Sequence, residues 1–226
     1  MFDFSPFFDN FGEILDGFWA TIRLAAAAAV LSMIIGTILA SFRVSPVPVL
    51  RGFGTGYVNV LRNTPLTLIL LMCSLGLNDI LALKFADGKS TYYWWAVLGL
   101  SAYTGAFVCE VLRSGINTIP LGQAEAARSI GLTFTQSLRV IILPQAFRSI
   151  IAPMGSVLIA MIKNTTVAAA ASYAEVALVT KTIVDKPTFA DGVIPLFIGV
   201  AIGFLLLTLP AGYFFGWLAK RMAVIR

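Results

Sequence analysis

Residues 24–42 read Leu-Ala-Ala-Ala-Ala-Ala-Val-Leu-Ser-Met-Ile-Ile-Gly-Thr-Ile-Leu-Ala-Ser-Phe, a run without a charged side chain that Arg23 and Arg43 close at its two ends. A helix needs roughly 20 apolar residues to cross the hydrocarbon core of a bilayer. This run has that length, and it therefore predicts a membrane-spanning helix.

The composition of the whole chain extends this prediction. Of the 226 residues, 58% are hydrophobic and 12% charged, with a mean hydropathy of +0.89, whereas a soluble domain has about 25% charged residues. The net charge of +5 is scattered between apolar runs, which argues against nucleic-acid binding. Histidine is absent, and Cys73 and Cys109 lie inside apolar runs, which argues against an enzyme, a metal site or a disulfide framework.

Five apolar segments are long enough to cross a membrane. Their approximate ranges are 17–42, 57–78, 90–112, 149–172 and 192–219. The sequence therefore predicts an all-α integral membrane protein, with residues 1–226 forming one transmembrane domain. Acidic residues occupy the start of the chain, where a signal peptide would be basic, so we expect the first helix to stay in the mature protein.

The distribution of Lys and Arg predicts the orientation, because cytoplasmic segments carry an excess of these residues. With the N-terminus outside and the C-terminus inside, nine cations lie in inner segments and four in outer segments. The inner set is Arg43, Arg51, Arg113, Arg128, Arg139, Arg148, Lys220, Arg221 and Arg226, and the outer set is Lys84, Lys89, Lys181 and Lys186.

The longest inner connection spans residues 114–148, far more than a helix hairpin needs. Its centre, Gly-Gln-Ala-Glu-Ala-Ala-Arg-Ser-Ile-Gly over residues 122–131, predicts a short helix at 123–130 that Gly131 ends in a left-handed cap. Glu125 and Arg128 are spaced to pair. We expect Thr135 to cap a second helix over 136–143, and Pro144 to break it.

Glu125-Ala126-Ala127, Gly131 four residues later, and then Ile142-Leu143-Pro144 resemble the EAA loop of ABC-importer permeases. The likeness implies a type I importer permease whose loop helix docks on an ATP-hydrolysing subunit. The alternative is a surface helix that is merely rich in alanine. The residues to which the resemblance assigns ATPase coupling are Gly122, Gln123, Glu125, Ala126, Ala127, Gly131 and Pro144.

Further segments are similar to the polar amino-acid branch of that family. They include Arg62-Asn63-Thr64-Pro65 and Lys163-Asn164-Thr165, and together with Arg43-Val44-Ser45-Pro46 they resemble actinobacterial glutamate permeases most. The likeness implies a bacterial plasma-membrane importer of glutamate or a related polar amino acid. Its partners would be a second permease, identical or paralogous, ABC ATPase subunits and an extracellular solute-binding protein. The chain has no Walker loop, so ATP and Mg²⁺ would bind the ATPase, and no cofactor is expected here.

Charged residues inside a bilayer are expensive and therefore candidates for function. Arg23 lies at the outer boundary, where it either snorkels to water or attracts an anionic substrate. Lys163 lies about 22 Å beyond Arg148 along a continuous helix, and it either binds a substrate carboxylate or has a structural or gating role. Glu110 is expected to pair with Arg113. The complete set of candidate pathway or gating residues is Arg23, Arg62, Thr64, Pro65, Glu110, Lys163, Asn164 and Thr165.

Two interpretations stay open at this stage. The outer segment 172–191 contains an amphipathic stretch at 173–184, which predicts a helix that gates the pore, receives the binding protein or simply connects two spans. For the whole chain, the alternative to an ABC permease is an ion-coupled carrier or channel subunit. The sequence shows no internal repeat of the kind that such carriers use, and uptake that follows ATP instead of an ion gradient would separate the two.

Overall fold

The structure, a computed structural model, describes residues 4–85, 88, 90–186 and 192–222, and all regular secondary structure within these ranges is helical. Two of the cations compared above, Lys89 and Arg226, lie outside these ranges, as do the acidic residues Asp3, Asp87 and Asp191. The α-helices are α1 (Ser5–Asp9), α2 (Phe11–Val44), α3 (Pro48–Asn63), α4 (Leu66–Leu71), α5 (Ser90–Asn117), α6 (Leu121–Ser129), α7 (Phe134–Ser137), α8 (Leu143–Asn164), α9 (Val176–Val184) and α10 (Val193–Met222). Two π-helices, Met72–Ile80 and Leu138–Ile142, and a 3₁₀ helix, Thr165–Ala171, extend α4, α7 and α8.

Four helical segments are long and apolar enough to cross a membrane, namely Phe11–Val44, Ser90–Asn117, Thr135–Ala171 and Val193–Met222. A fifth crossing is reached only if α3 and the segment Leu66–Ile80 count as one broken span, since they meet at an angle of 102°. The all-helical prediction is confirmed, and the number of spans is four or five. The second predicted span, at 57–78, is not one continuous helix.

The break in that span follows from the Thr64-Pro65 pair. Proline disfavours the helical conformation of the residue before it and provides no amide donor. Thr64 is accordingly extended, with φ −97° and ψ 132°. The Asn63 amide and the Thr64 hydroxyl each donate to the carbonyl four residues earlier, at 2.7 and 2.8 Å. The side chains thereby satisfy two of the carbonyls that the end of α3 leaves without backbone partners.

The prediction that Pro144 breaks the helix is wrong. The chain stays helical from residue 134 to residue 164, although Pro144 provides no amide donor. The π-helix Leu138–Ile142 directly precedes α8. The predicted cap is also wrong. Thr133, not Thr135, caps α7, because its hydroxyl accepts from the Gln136 amide at 3.3 Å while the Gln136 side chain accepts from the Thr133 amide at 2.9 Å.

Small residues set the packing at the centre of the bundle. Membrane helices gain little from apolar burial alone and associate where small side chains let their backbones approach. The alanine-rich part of α2 lies against α5 in a core that contains Leu24, Ala28, Ala96 and Leu100, each fully buried. Further along the same contact, a methyl group added at Gly105 would lie 2.8 Å from Ile35 Cγ2. The pair α2 and α5 therefore forms a fixed centre against which the broken helices pack.

The predicted helix in the outer connection is present as α9, beginning three residues later than the pattern suggests. Glu175 precedes it and accepts hydrogen bonds from the amides of Ala177 and Leu178, at 2.9 and 3.0 Å. Val176 and Ile183 on α9 pack with Ile14 of α2 and with Leu196 and Val200 of α10. The helix is thus held against the ends of two long helices.

Candidate substrate pathway and coupling loop

Two interruptions of helical geometry meet inside the bundle. One is the 102° break at Thr64 and Pro65, and the other is the change from α-helix to 3₁₀ helix after Asn164. The elements beyond the two breaks pack together, with Leu66 and Leu70 of α4 in one cluster with Ala168 and Ala171 of the 3₁₀ helix. Irregular backbone at membrane depth is tolerated where it is buried in protein or lines a cavity. Both breaks are therefore candidate elements of a transport pathway.

A cavity of about 150 Å³ lies between α5 and α8 beside the second break. Asn164 is the one predicted pathway residue in its wall. Tyr103, Thr104 and Phe107 of α5 form the facing side, together with apolar residues of α8. An amide, two hydroxyl groups and an aromatic ring thus surround a small space, a combination that can orient a polar molecule while excluding water from its apolar parts.

Glu110 is the centre of a cluster of charges from three helices. Its carboxylate contacts Arg43 of α2 and accepts from Arg113 of α5 at 2.9 and 3.2 Å, while Arg62 of α3 lies 3.5 Å from it. The predicted pair with Arg113 is present, but it is one of three. The Arg62 guanidinium also lies 5.4 Å from the centre of the Phe107 ring, which is within range for a cation–π contact. The cluster is thereby connected to the cavity wall.

The other candidate residues are not brought together with this cluster. Lys163 is exposed and has no ion-pair partner among the described residues, while Thr165 is buried with its hydroxyl donating to the Ile162 carbonyl at 2.7 Å. Arg23 is exposed, and its carbonyl accepts from the Tyr93 hydroxyl at 3.4 Å. The structure therefore separates Arg23 and Lys163 from the charges around Glu110.

The sequence pattern missed Arg43 of the charge cluster and Tyr103, Thr104 and Phe107 of the cavity wall. Tyr103, Phe107 and Glu110 are spaced four and three residues apart, so they share one face of α5. That spacing was visible in the sequence. The contact between Arg43 and Glu110 joins residues 67 positions apart, and no local spacing indicates it.

The helix predicted at 123–130 is present as α6, which begins two residues earlier and ends one residue earlier than predicted. It ends in a Schellman motif, in which Gly131 adopts φ +84° and its amide donates to the Arg128 carbonyl at 2.9 Å, while the Leu132 amide donates to the Ala127 carbonyl at 3.1 Å. The Gln145 side chain of α8 donates to the Gln123 side chain of α6 at 2.6 Å. This hydrogen bond ties the helix to the start of a long span.

The structure buries Ala127, one of the residues to which the resemblance assigns ATPase coupling. Ala127 is buried against its own chain, with 1% of its surface exposed, and Ala124 is half-buried. Leu121 and Ile130, at the two ends of the helix, are 82% and 76% exposed. The expected pair of Glu125 and Arg128 forms no salt bridge, although both side chains are exposed. The exposed surface of α6 therefore includes Glu125, Ala126 and Arg128 together with the two large apolar side chains.

Broken spans around a small polar cavity, together with an exposed helix in a long connection, are features of a membrane transport subunit. The sequence agrees, because residues 32–224 match the family described as binding-protein-dependent transport system inner membrane component. The chain belongs to this family, and it is the permease component of an amino-acid ABC transporter. The family resemblance that the EAA-like loop suggested is confirmed.

Individual relatives make the comparison more specific. The chain is 48% identical over 218 residues to the glutamate transport system permease protein GluC of Corynebacterium efficiens, covering 94% of this chain and 95% of the relative. It is 34% identical to a probable glutamine ABC transporter permease protein of Bacillus subtilis, over 96% of this chain and 97% of the relative. A solved structure described as an amino acid ABC transporter with histidines has the same fold, with a TM-score of 0.87, 24% identity and coverage of 98% and 99%.

Proposed function

We propose that this chain is the transmembrane subunit of an ATP-driven importer of glutamate or a closely related polar amino acid. It forms half of the translocation pathway and docks on an ATPase subunit through α6, with Gly122, Gln123, Glu125, Ala126, Ala127, Gly131 and Pro144 in the coupling loop. The observation that carries the substrate class is the near full-length similarity to a glutamate permease. The ATPase binds ATP and Mg²⁺, and an extracellular solute-binding protein delivers the amino acid.

The size of the cavity supports a second permease in the pathway. The space between α5 and α8 measures about 150 Å³, and pockets that enclose a small-molecule ligand usually measure roughly 300–1,000 Å³. One chain therefore encloses less space than such pockets usually provide. Juxtaposition with a second permease, either a copy of this chain or a paralogue, would enlarge this space.

The hydrogen bond between Gln123 and Gln145 supports a lever mechanism. It connects α6 to the first turn of α8, and α8 runs as a helix to Asn164, where the cavity and the second break lie. Near its start α8 also contacts the inner end of α5, where the Thr118 hydroxyl lies 3.3 Å from that of Ser149. A displacement of α6 by a closing ATPase is then transmitted along α8 to the pathway, which gives both sites a shared mobile element.

The proposed orientation has the N-terminus outside and the C-terminus inside. The excess of Lys and Arg in the segments beside α6 supports it. In this orientation α9 lies on the outer side, where it gates the pathway or receives the binding protein. Arg23, also on the outer side, is exposed where an arriving anionic amino acid first meets the permease.

The docking proposal is tested with Glu125→Lys. Glu125 is exposed on α6, and reversing its charge changes the docking surface without removing a contact within the chain. We expect ATPase co-purification and ATP-dependent glutamate uptake to decrease together, by about tenfold or more, while membrane insertion is unchanged. Asp16→Lys is the matched control, because it makes the same charge change at an exposed position of α2 near the opposite end of the bundle, and it should leave ATPase binding intact.

Two results would contradict the proposal. Normal ATPase co-purification and uptake in Glu125→Lys would remove the docking role of α6. Uptake by reconstituted vesicles that follows an ion gradient and ignores ATP would instead favour the ion-coupled carrier or channel subunit.

A further inference from the structure

Three arginines share one carboxylate at the end of the bundle that faces the coupling loop. Arg113 donates to Oε2 of Glu110 through two nitrogens, at 2.9 and 3.2 Å, and Arg43 donates to Oε1. Arg62 approaches the same Oε1 at 3.5 Å, beyond the usual length of a charged hydrogen bond. The cluster thus carries three positive charges and one negative charge, and Arg62 is the arginine that the carboxylate holds least.

Arg62 is also the arginine of the cluster that contacts the cavity wall. Its guanidinium stacks against Phe107, and Phe107 forms part of the wall of the cavity beside Asn164. The Arg62 side chain is 44% exposed, against 12% for Arg43 and 35% for Arg113. A guanidinium has five N–H donors in a planar fork that fits a carboxylate. Arg62 therefore has unused donors close to the wall of the cavity.

The cluster lies on the coupling side of the cavity. Glu110 follows Thr104, a residue of the cavity wall, by six positions on α5, which corresponds to roughly 9 Å along the helix. The connection to α6 begins at the same end of α5. A molecule that leaves the cavity in the direction of the coupling loop consequently passes Arg62.

We propose that Arg62 binds the side-chain carboxylate of the transported acidic amino acid, and that Glu110 is the counter-ion that occupies Arg62 when no substrate is present. Arg43 and Arg113 contact Glu110 independently of Arg62, so Glu110 stays in place when Arg62 changes partner. The exchange replaces one carboxylate by another and leaves the number of ion pairs unchanged. An uncharged amide side chain cannot take the place of Glu110, and this gives the site a preference for glutamate over glutamine.

This inference rests on the proposed import of an acidic amino acid, and it is tested by binding measurements that bypass the delivery protein. Radiolabelled glutamate and glutamine are titrated against the purified complex of permease and ATPase without the solute-binding protein. In Arg62→Gln, we expect glutamate affinity to fall by about tenfold or more, as the loss of a hydrogen bond to a charged group predicts, and glutamine affinity to change by less than about twofold.

Arg51→Gln is the matched control, since it removes the same charge from the same helix at an exposed position that makes no salt bridge and no cation–π contact among the described residues. It should preserve the ratio of the two affinities. An equal loss of that ratio in both variants would assign the effect to net charge and overturn the inference, as would an unchanged ratio in Arg62→Gln. Failure of the wild-type complex to bind glutamate at millimolar concentration would also overturn it, whereas ATP-dependent glutamate uptake in the complete system would show that the proposed function still holds.

A structure of the wild-type complex with glutamate tests the exchange even if Arg62→Gln does not assemble. We expect a ligand carboxylate within about 3.2 Å of the Arg62 guanidinium and a separation of Arg62 from Glu110 beyond the present 3.5 Å. A bound glutamate whose carboxylates both lie away from Arg62, with the contact to Glu110 retained, would refute the exchange.

Discussion

The two short connecting helices, α6 and α9, have the same length and opposite environments. Each contains nine residues. In α6, Ala127 alone is buried, whereas α9 buries Val176, Thr180 and Ile183. The hydrogen bonds at the helix ends also differ. Gly131 forms a backbone hydrogen bond at the end of α6, whereas the buried carboxylate of Glu175 accepts from two backbone amides at the start of α9.

This difference shows that α9 belongs to the core of the permease, whereas α6 is exposed on its surface. Tertiary contacts with α2 and α10 hold α9 in position, and changes there should destabilise the chain. Local signals form α6, chiefly alanine content and its glycine cap, and one side-chain hydrogen bond links it to α8. Changes on its exposed face should leave the chain stable and affect what binds to it.

The largest effect on stability is expected from Gly17→Ala. A methyl group at Gly17 would lie 2.9 Å from the Cα of Val176 and 3.3 Å from its amide nitrogen, so α9 would have to move away from α2. We expect a loss of about 1–3 kcal/mol, the usual cost of overpacking, measured by thermal unfolding of the purified complex in detergent.

Gly12→Ala provides the control, because it makes the same substitution on the same helix where nothing lies within 4 Å of the added methyl group. Its stability should be unchanged or higher by up to about 1 kcal/mol. Equal melting temperatures in the two variants would show that α9 is not held tightly against α2.

A smaller effect, which depends on pH, is expected at Glu175. Burial raises the pKa of this carboxyl above its ordinary value of 4.5. The hydrogen bonds that it accepts from two backbone amides lower the pKa, but their effect is smaller than that of burial. Because the folded pKa exceeds the unfolded one, the contribution to stability is complete below the unfolded pKa and is lost as pH rises through the folded pKa. We therefore expect wild type to lose stability relative to Glu175→Gln as pH rises above 4.5.

Melting temperatures of both proteins across pH 4 to 8 measure this difference. Asp185→Asn is the control, because it neutralises an exposed acid at the other end of α9, which pairs with Lys181. Its melting curve should follow that of wild type apart from a constant offset. Parallel curves for wild type and Glu175→Gln would refute the burial of an ionisable group under α9.

The contrast between the two helices also separates what the sequence could predict from what it could not. The predicted bounds of α6 and its glycine cap depend on the local signals of residues 121–131, and the structure matches the cap and agrees with the bounds to within two residues. The spans also follow from local hydropathy. Proline is different, because its effect depends on neighbours: Pro65 breaks its span by 102°, while Pro144 lies in the first turn of α8 without interrupting the helix.

Contacts between distant segments could not be predicted from spacing. The Glu110 cluster joins α2, α3 and α5, and the sequence indicated only its one local pair, with Arg113. The burial of Ala127 could not be predicted for the same reason, because the local sequence does not say whether the chain itself covers an alanine side chain. Ala127 packs inward, and the large exposed side chains at the helix ends remain.

Leu121→Ser is expected to have the smallest effect on the stability of the isolated permease. Its effect on assembly with the ATPase should be large. Leu121 is 82% exposed, so its replacement should change the stability of the permease by less than about 0.5 kcal/mol. If an ATPase subunit covers the face of α6, burying a leucine side chain contributes about 1.5–3 kcal/mol to the contact, and its loss should weaken ATPase binding by about tenfold or more.

Ile80→Ser is the control, because Ile80 is 78% exposed and lies at the end of the Met72–Ile80 helix, outside the coupling loop. It should not change ATPase affinity. Titration of the ATPase subunit against each permease variant in nanodiscs measures the difference in affinity. A loss of permease stability in Leu121→Ser with unchanged ATPase binding would show that α6, like α9, stabilises the permease and does not bind the ATPase.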